Sequence, residues 1–350
     1  MIAELMTKLK AKDSFSDILG QDEAKQQLKS ALLSERHIIL VGPPGIGKTT
    51  LAKNVAKLLD DITVNDCEYH CLPNMPICPQ CQQAKLQGKK IKTKTIKGVQ
   101  RFIRIQGSPD LTVEDLLGDI DPVKALQYGP LSVEAFTPGK IFKAHNGILF
   151  FDEVNRCPEK LQNALLQVLE EGKATVSSYT IEFPTDFIFI GTMNPEDSST
   201  EKLSDGFVDR FDFVYIHYPE SLAVEKNIVT MKGKKFDIDF PDKLLTLIIH
   251  FVRLVREDQR VQKKPSVRAS LGLYERSQAN AYLKNKKAVS LEDIKQAVIS
   301  VLSHRIALKP SLKYLSSPQS FIAEKFEQFL EQGEKIMAAD TAGEHASDVP

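Results

Sequence analysis

The sequence predicts an α/β domain, built as a parallel sheet with flanking helices, followed by a smaller all-helical domain. In the first 220 residues, short apolar runs typical of buried strands alternate with amphipathic helical stretches. After Pro219 no strong strand pattern remains, and the apolar residues recur with helical spacing. The expected division is therefore an α/β domain at 1–220, a helical domain at 221–338 and a flexible tail at 339–350.

The individual elements follow from apolar periodicity and from the glycines and prolines between them. Helices are predicted near 22–33, 48–59, 157–172, 220–231, 241–257, 266–284, 290–303 and 318–337. Strands are predicted at 37–42, 101–106, 147–153 and 186–194, with a hairpin at 174–183. Residues 61–100 interrupt this alternation with prolines, cysteines and lysines, which indicates an insertion.

The composition is that of an ordinary globular protein. Of 350 residues, 42% are hydrophobic and 26% are charged, and 46 basic residues balance 46 acidic ones. For the chain as a whole, this neutrality argues against a strongly polyanionic partner. No apolar run reaches the length of a transmembrane helix, and the first residues lack the features of a secretory signal. The expected location is the cytoplasm, with no membrane partner.

A glycine-rich loop stands between the first strand and the next helix. It matches the pattern G-x-x-x-x-G-K-[ST], in which backbone N–H groups and a helix N-terminus face phosphate oxygens. Lys48 is predicted to reach the β- and γ-phosphates of ATP, and Thr49 to hold Mg²⁺. The predicted nucleotide-binding residues here are Gly42, Pro43, Pro44, Gly45, Ile46, Gly47, Lys48, Thr49 and Thr50.

Two carboxylates end the strand at 147–153. Ligands in open α/β sheets bind beyond the carboxyl ends of strands, so Asp152 is predicted to support Mg²⁺ through its water shell. Glu153 is predicted to orient and polarise the attacking water, which indicates hydrolysis rather than phosphoryl transfer to another substrate. The alternative is a pair of solvated acids at the start of a helix, where the helix dipole favours them.

Several spaced motifs between about residues 15 and 305 resemble those of the AAA+ ATPases, and more narrowly those of the MoxR and magnesium-chelatase ATPase-subunit group. Besides the phosphate loop they are Ile18-Leu19-Gly20-Gln21-Asp22, Asp115-Leu116-Leu117-Gly118, Phe151-Asp152-Glu153-Val154-Asn155-Arg156, Gly191-Thr192-Met193-Asn194-Pro195, Asp209-Arg210-Phe211-Asp212 and Ser266-Val267-Arg268-Ala269. The resemblance implies a phosphate-loop AAA+ domain followed by a helical lid domain.

The resemblance also implies roles for single residues. Asn194 is expected to sense the attacking water or the γ-phosphate, and Gln21 to lie beside the adenine. Arg210 is expected to act as an arginine finger on the nucleotide of a neighbouring subunit, and Arg268 as a second sensor. The alternatives are a surface ion pair of Arg210 with a neighbouring aspartate, and a solvated helix position for Arg268. Residues 112–142 and 173–183 resemble elements near the central pore that engage a remodelled partner.

Four of the five cysteines fall within the insertion, as Cys67, Cys71, Cys78 and Cys81. Thiolates at this spacing suit tetrahedral Zn²⁺, which would organise a loop with little core of its own. His70 is an alternative ligand to Cys71, and an iron–sulfur cluster or no metal at all are the alternatives to zinc.

The insertion is also basic. Residues 69–109 contain no acidic residue and carry Lys85, Lys89, Lys90, Lys92, Lys94, Lys97, Arg101 and Arg104. The stretch is interpreted either as a solvated surface or as a docking face for an acidic protein or for nucleic acid. Because no RNA- or DNA-binding aromatic motif accompanies the basic stretch, an acidic protein is preferred to nucleic acid as its partner.

The leading functional hypothesis is a Mg²⁺-dependent ATPase that forms a homo-oligomer, expected as a hexameric ring, and remodels or activates a partner protein. A narrower hypothesis is the ATPase subunit of a magnesium or cobalt chelatase, and a partner with a von Willebrand A-type domain fits both. A hypothesis of another class is a motor or loader that nucleic acid stimulates through the basic insertion.

Overall fold

A computed structural model describes residues 2–11, 14–129, 132–175, 182–195, 203–311 and 315–344. The chain divides into two units, one formed by residues 1–43 and 47–217 and the other by residues 44–46 and 218–350. Among the described residues, no helix is long and apolar enough to cross a lipid bilayer.

The first unit alternates strands and helices. Its strands are β1 (His37–Val41), β2 (Ile62–Asn65), β3 (Thr93–Ile96), β4 (Phe102–Gln106), β5 (Gly118–Ile120), β6 (Phe136–Pro138), β7 (Gly147–Asp152), β8 (Lys173–Thr175), β9 (Glu182–Pro184), β10 (Phe187–Met193) and β11 (Phe211–Tyr215). Its helices are α1 (Ile2–Leu9), α2 (Asp22–Leu33), α3 (Lys48–Lys57), α4 (Pro79–Leu86), α5 (Val113–Leu117), α6 (Pro122–Tyr128), α7 (Lys140–Lys143), α8 (Glu159–Glu171) and α9 (Asp205–Val208).

Five strands form the central sheet in the order β11-β1-β10-β7-β4, and every neighbouring pair is parallel. Strands β1, β7 and β10 are buried over nearly their whole length because helices cover both faces of a parallel sheet. This double burial explains why these strands appear in the sequence as continuous apolar runs. The predicted α/β sheet with flanking helices is confirmed.

Several strand pairings of the first unit were not predicted, among them the antiparallel pairing of β5 with β6. Strand β11 lies at the sheet edge and buries two of its five residues, Phe211 and Val214, so it lacks the continuous burial of the inner strands. Within the insertion, β2 pairs antiparallel with β3. The hairpin expected at 174–183 is represented by the pairing of β8 with β9, and residues 176–181 lie outside the described part.

The described residues of the second unit form mainly helices, together with a short two-stranded ribbon. Its helices are α10 (Leu222–Lys232), α11 (Asp242–Glu257), α12 (Val267–Leu283), α13 (Leu291–Leu302) and α14 (Pro318–Glu344). The ribbon joins β12 (Val261–Lys263) with β13 (Ala307–Leu308), a pairing too short to leave a strand pattern in the sequence. The predicted helical lid is confirmed, and α14 continues into the stretch expected to be a tail.

Candidate functional site

The carboxyl ends of the central strands bring the phosphate loop, Asp152, Glu153 and Asn194 to one edge of the sheet, whereas Arg210 precedes β11 at the opposite edge. Val41 on β1 pairs with Met193 on β10, and Gln106 on β4 pairs with Asp152 on β7. The phosphate loop follows β1, the Asp152-Glu153 pair ends β7, and Asn194 follows β10. Because β10 stands between β1 and β7, these three segments are adjacent in the fold.

Glycine is required at two points of the phosphate loop. Gly47 precedes the first residue of α3 with φ 105°, a left-handed conformation that side chains disfavour. A Cβ at Gly42 would lie only 2.4 Å from the carbonyl oxygen of Ile216. The Lys48 Nζ donates to the carbonyl oxygens of Gly42 and Pro43 at 2.5 and 2.9 Å, so the amine lies across the loop. Thr49 and Thr50 occupy the first turn of α3, as the motif requires.

Asp152 accepts two hydrogen bonds that the sequence did not predict. The Thr192 hydroxyl donates to Oδ1 at 2.7 Å, and the Arg104 guanidinium donates to Oδ2 at 2.5 Å. Thr192 lies on β10 and is fully buried, whereas half of the Arg104 side chain is exposed. Both contacts cross between neighbouring strands, so only the strand order and register reveal them.

Glu153 is oriented by its backbone and by two side chains. Its φ of 57° is unusual for a residue other than glycine, and its N–H donates to the Thr192 hydroxyl at 2.9 Å. The Gln106 amide donates to Oε2 at 3.0 Å, and the Arg156 guanidinium lies 3.3 Å from the same oxygen. Arg156 had no role predicted from the sequence, and the structure places it beside the predicted catalytic base.

Other predicted site residues are held by contacts within the first unit. The carbonyl of Asn194 accepts from the Asn155 amide at 3.3 Å. Gln21 donates to the carbonyl of His217 at 2.5 Å and accepts from the N–H of the same residue at 3.3 Å. Arg210 is half exposed and forms an ion pair with Glu170 on α8, rather than with a neighbouring aspartate.

Arg268 belongs to the helical unit. It is the second residue of α12 and is exposed, while the neighbouring Val267 and Ala269 are buried. Burial, and to a lesser degree the charge of Arg268, lower the pKa of the half-buried Arg305. The sensor role of Arg268 stays a prediction.

The four cysteines of the insertion converge. The sulfur atoms of Cys67, Cys71, Cys78 and Cys81 all lie within 4.8 Å of one another, and all but Cys67 are buried. His70 is not part of this group, and its Nδ1 lies 3.1 Å from the carbonyl oxygen of Lys143. The spacing suits one ion, since tetrahedral bonds of about 2.3 Å separate the sulfurs by about 3.8 Å. An iron–sulfur cubane puts each thiolate on a different iron and needs a wider arrangement.

Backbone N–H groups stabilise the sulfurs. Those of Ile77 and Cys78 donate to Cys71 Sγ at 3.3 Å, and that of Cys81 donates to Cys78 Sγ at 3.4 Å. Hydrogen bonds from Cys71 and Cys78 lower the pKa of Cys67, and the bond to Cys67 raises the pKa of Cys71 to about 11. A bound cation would allow all four sulfurs to ionise.

The basic surface of the insertion is smaller than the sequence indicates. Arg101 is buried and paired with Glu4 at 2.8 Å, and Arg104 contacts Asp152. The lysines of the stretch are exposed, namely Lys85, Lys89, Lys90, Lys92, Lys94 and Lys97. Lys94 pairs with Asp66 at 3.1 Å, so flanking acid neutralises part of this charge. The docking interpretation therefore concerns the lysines alone.

Three family models match the chain. The ATPase family associated with various cellular activities matches residues 83–213, an AAA lid domain matches 255–323, and the ChlI subunit of magnesium chelatase matches 14–75. These matches include the phosphate loop and the acidic strand end. The chain is an AAA+ ATPase, and its matched segments are similar to the ATPase subunit of magnesium chelatase.

Known relatives are similar over most of their length. The uncharacterized protein YeaC of Bacillus subtilis is 27% identical over 310 residues, which are 81% of this chain and 82% of YeaC. The chloroplastic magnesium-chelatase subunit ChlI-2 of Arabidopsis thaliana is 28% identical over 348 residues, which are 89% of this chain and 79% of ChlI-2. A solved complex between the BchI and BchD subunits of magnesium chelatase matches at 20% identity with a TM-score of 0.46, over 86% of this chain and 98% of that one.

Proposed function

We propose that this chain is the Mg²⁺-dependent ATPase of a homo-oligomeric ring that remodels or activates a partner protein. The observation that carries the proposal is the convergence of Lys48, Asp152 and Glu153 at the carboxyl edge of one sheet. Hydrolysis there depends on positioning and on fixed charge, since phosphoryl transfer requires little covalent chemistry from the protein.

The residues present fit ATP with Mg²⁺. Lys48 and the N–H groups that begin α3 would bind the phosphates, as positive groups at a helix N-terminus do. The Thr49 hydroxyl and the Asp152 carboxylate offer the oxygen ligands that Mg²⁺ prefers, the second through water. When bound, Mg²⁺ neutralises charge on the β- and γ-phosphate oxygens.

Glu153 is proposed as the general base. Gln106 and Arg156 both contact its Oε2, which leaves Oε1 as the oxygen to accept a hydrogen bond from water. Water held by Glu153 would be oriented toward the γ-phosphate, with Asn194 on the neighbouring strand as the sensor.

Arg210 is proposed to act on the neighbouring subunit's nucleotide. Its side chain is half exposed and its partner, Glu170, is a surface residue, so the ion pair can open at low cost when subunits associate. A guanidinium supplied in this way stabilises the charge of the transition state. Arg268 is proposed as a second sensor of the nucleotide.

The cysteine cluster is proposed as a structural zinc site. Four sulfurs around one point, three of them buried, provide the donor set and geometry of structural zinc. The bound ion would join the loop after β2 to the start of α4, where Cys78 is the N-cap residue. Its role is folding of the insertion rather than ATP chemistry.

A chelatase subunit is the second candidate. The match of residues 14–75 to the ChlI subunit and the similarity to ChlI-2 favour it. A partner with a von Willebrand A-type domain is compatible with either candidate. A nucleic-acid motor ranks lower because the exposed lysines are accompanied by no motif for base recognition.

Affinity capture with a Glu153→Gln variant tests the proposed partner. This variant should bind ATP without releasing it by hydrolysis, so the partner-bound state accumulates. A defined protein that is enriched with Glu153→Gln and ATP, but not with Glu159→Gln at an exposed position of α8, supports remodelling. If a chelatase catalytic subunit is the enriched protein, the second candidate is correct. If ATP enriches no protein, the remodelling proposal is wrong.

A further inference from the structure

A cation of this chain lies on the carboxylate that the proposed function assigns to the Mg²⁺ site. Arg104 Nη2 donates to Asp152 Oδ2 at 2.5 Å, from the neighbouring strand β4. The same nitrogen donates to Gln106 Oε1 at 3.2 Å, and Gln106 in turn donates to Glu153 at 3.0 Å. One guanidinium therefore contacts the first predicted catalytic acid directly and the second through an amide.

The two side chains that donate hydrogen bonds to Asp152 differ in how easily they can be displaced. Thr192 is fully buried, and its hydroxyl also accepts from the Glu153 N–H, so both neighbours hold it in place. The Arg104 side chain is half exposed at the sheet edge, whereas Asp152 is mostly buried. Of these two hydrogen bonds, the one from Arg104 is therefore the one that an incoming hydrated cation can displace at low cost.

We propose that Arg104 occupies the Asp152 carboxylate in the nucleotide-free protein and that Mg²⁺ must displace it. The inference rests on the proposed function because it needs Asp152 to support the metal. Arg104 is a positioning residue in this account. It neutralises the Asp152 carboxylate and raises the metal concentration at which the site fills. Because two cations that share one carboxylate oxygen repel each other, each lowers the affinity of the carboxylate for the other.

Metal binding measures this competition without turnover. Mn²⁺ replaces Mg²⁺ as a paramagnetic probe, and its binding is followed by electron paramagnetic resonance with a non-hydrolysable ATP analogue. We expect Arg104→Gln to reach half occupancy at about two- to five-fold lower Mn²⁺ than the wild type, the range for one partly exposed ion pair. The Mn²⁺ concentration at half occupancy for Arg104→Lys should lie between those of Arg104→Gln and the wild type. Lys94→Gln, which removes an exposed lysine paired with Asp66, should match the wild type.

The result that overturns the proposal is an Arg104→Gln variant that needs as much Mn²⁺ as the wild type, or more. A higher requirement would mean that Arg104 contributes to nucleotide binding instead of competing with the metal. Asp152→Asn separates this failure from a failure of the proposed function. If Asp152→Asn binds Mn²⁺ with the analogue normally, the assigned metal site itself is wrong. If Asp152→Asn loses Mn²⁺ while Arg104→Gln is unchanged, only the competition is wrong.

Discussion

Thr192 joins the two acidic residues at the end of β7 through one hydroxyl. That hydroxyl donates to Asp152 Oδ1 at 2.7 Å and accepts from the backbone N–H of Glu153 at 2.9 Å. A single buried atom on the neighbouring strand thus positions both the proposed metal support and the proposed base.

Replacing Thr192 by valine should disturb both acids while it preserves shape. The buried Asp152 oxygen and the Glu153 N–H would each lose a partner, which costs about 1–3 kcal/mol for each buried group left unsatisfied. We expect a lower unfolding temperature and a higher Mg²⁺ requirement for ATP hydrolysis. Thr192→Ser keeps the hydroxyl and should stay close to wild type in both measurements. Equal Mg²⁺ requirements for the valine and serine variants would contradict this role.

Mixing two inactive variants tests the shared active site. Arg210→Ala lacks the proposed finger and Glu153→Gln lacks the base, so each alone should hydrolyse ATP at least about 100-fold more slowly than the wild type. In a mixed oligomer, the intact Arg210 of a Glu153→Gln chain can lie beside the intact Glu153 of an Arg210→Ala chain. ATP hydrolysis should therefore return when the two variants are mixed, and its rate should depend on their ratio. Absence of recovery in verified mixed oligomers would show that Arg210 does not act across the interface.

Metal analysis tests the cysteine cluster. The purified protein should contain close to one zinc per chain, and Cys78→Ser should lose it together with part of its thermal stability, because the bound ion folds the insertion. Cys157→Ser is the matched control, since Cys157 is a buried cysteine outside the cluster. Iron in place of zinc, or full zinc content in Cys78→Ser, would refute the site.

Acid should weaken the central sheet through His37. Burial lowers the pKa of this histidine to about 4, and its Nδ1 accepts from the N–H of Phe189 at 3.2 Å. Since the unfolded chain takes up this proton near pH 6.5, the free energy of unfolding should fall as pH drops from 6.5 toward 4. His37→Gln should lose less thermal stability between pH 7 and 5 than the wild type, whereas His304→Gln, at an exposed position, should not differ from it. Equal losses in all three proteins would be evidence against this source of acid sensitivity.

The parts of the molecule that sequence reasoning predicted are those with local signals. The inner strands appear as apolar runs, the phosphate loop as glycines before a helix, and the cysteine cluster as short spacings. Contacts between strands have no such signal. Arg104 looked like one more charge of the basic insertion, and Thr192 like part of a motif without a role, until the order β10-β7-β4 placed both beside Asp152. Strand β11 was missed because an edge strand is only half buried.

Glu153 is proposed to activate water for ATP hydrolysis at this sheet edge. The direct measurement is phosphate release with Mg²⁺ and ATP from Glu153→Gln, beside ATP binding by the same variant, with Glu159→Gln as the control. We expect Glu153→Gln to bind ATP within about three-fold of the wild type but to release phosphate at least about 100-fold more slowly, the lower end of general-base effects. Phosphate release at the wild-type rate by Glu153→Gln would contradict the proposed role of Glu153.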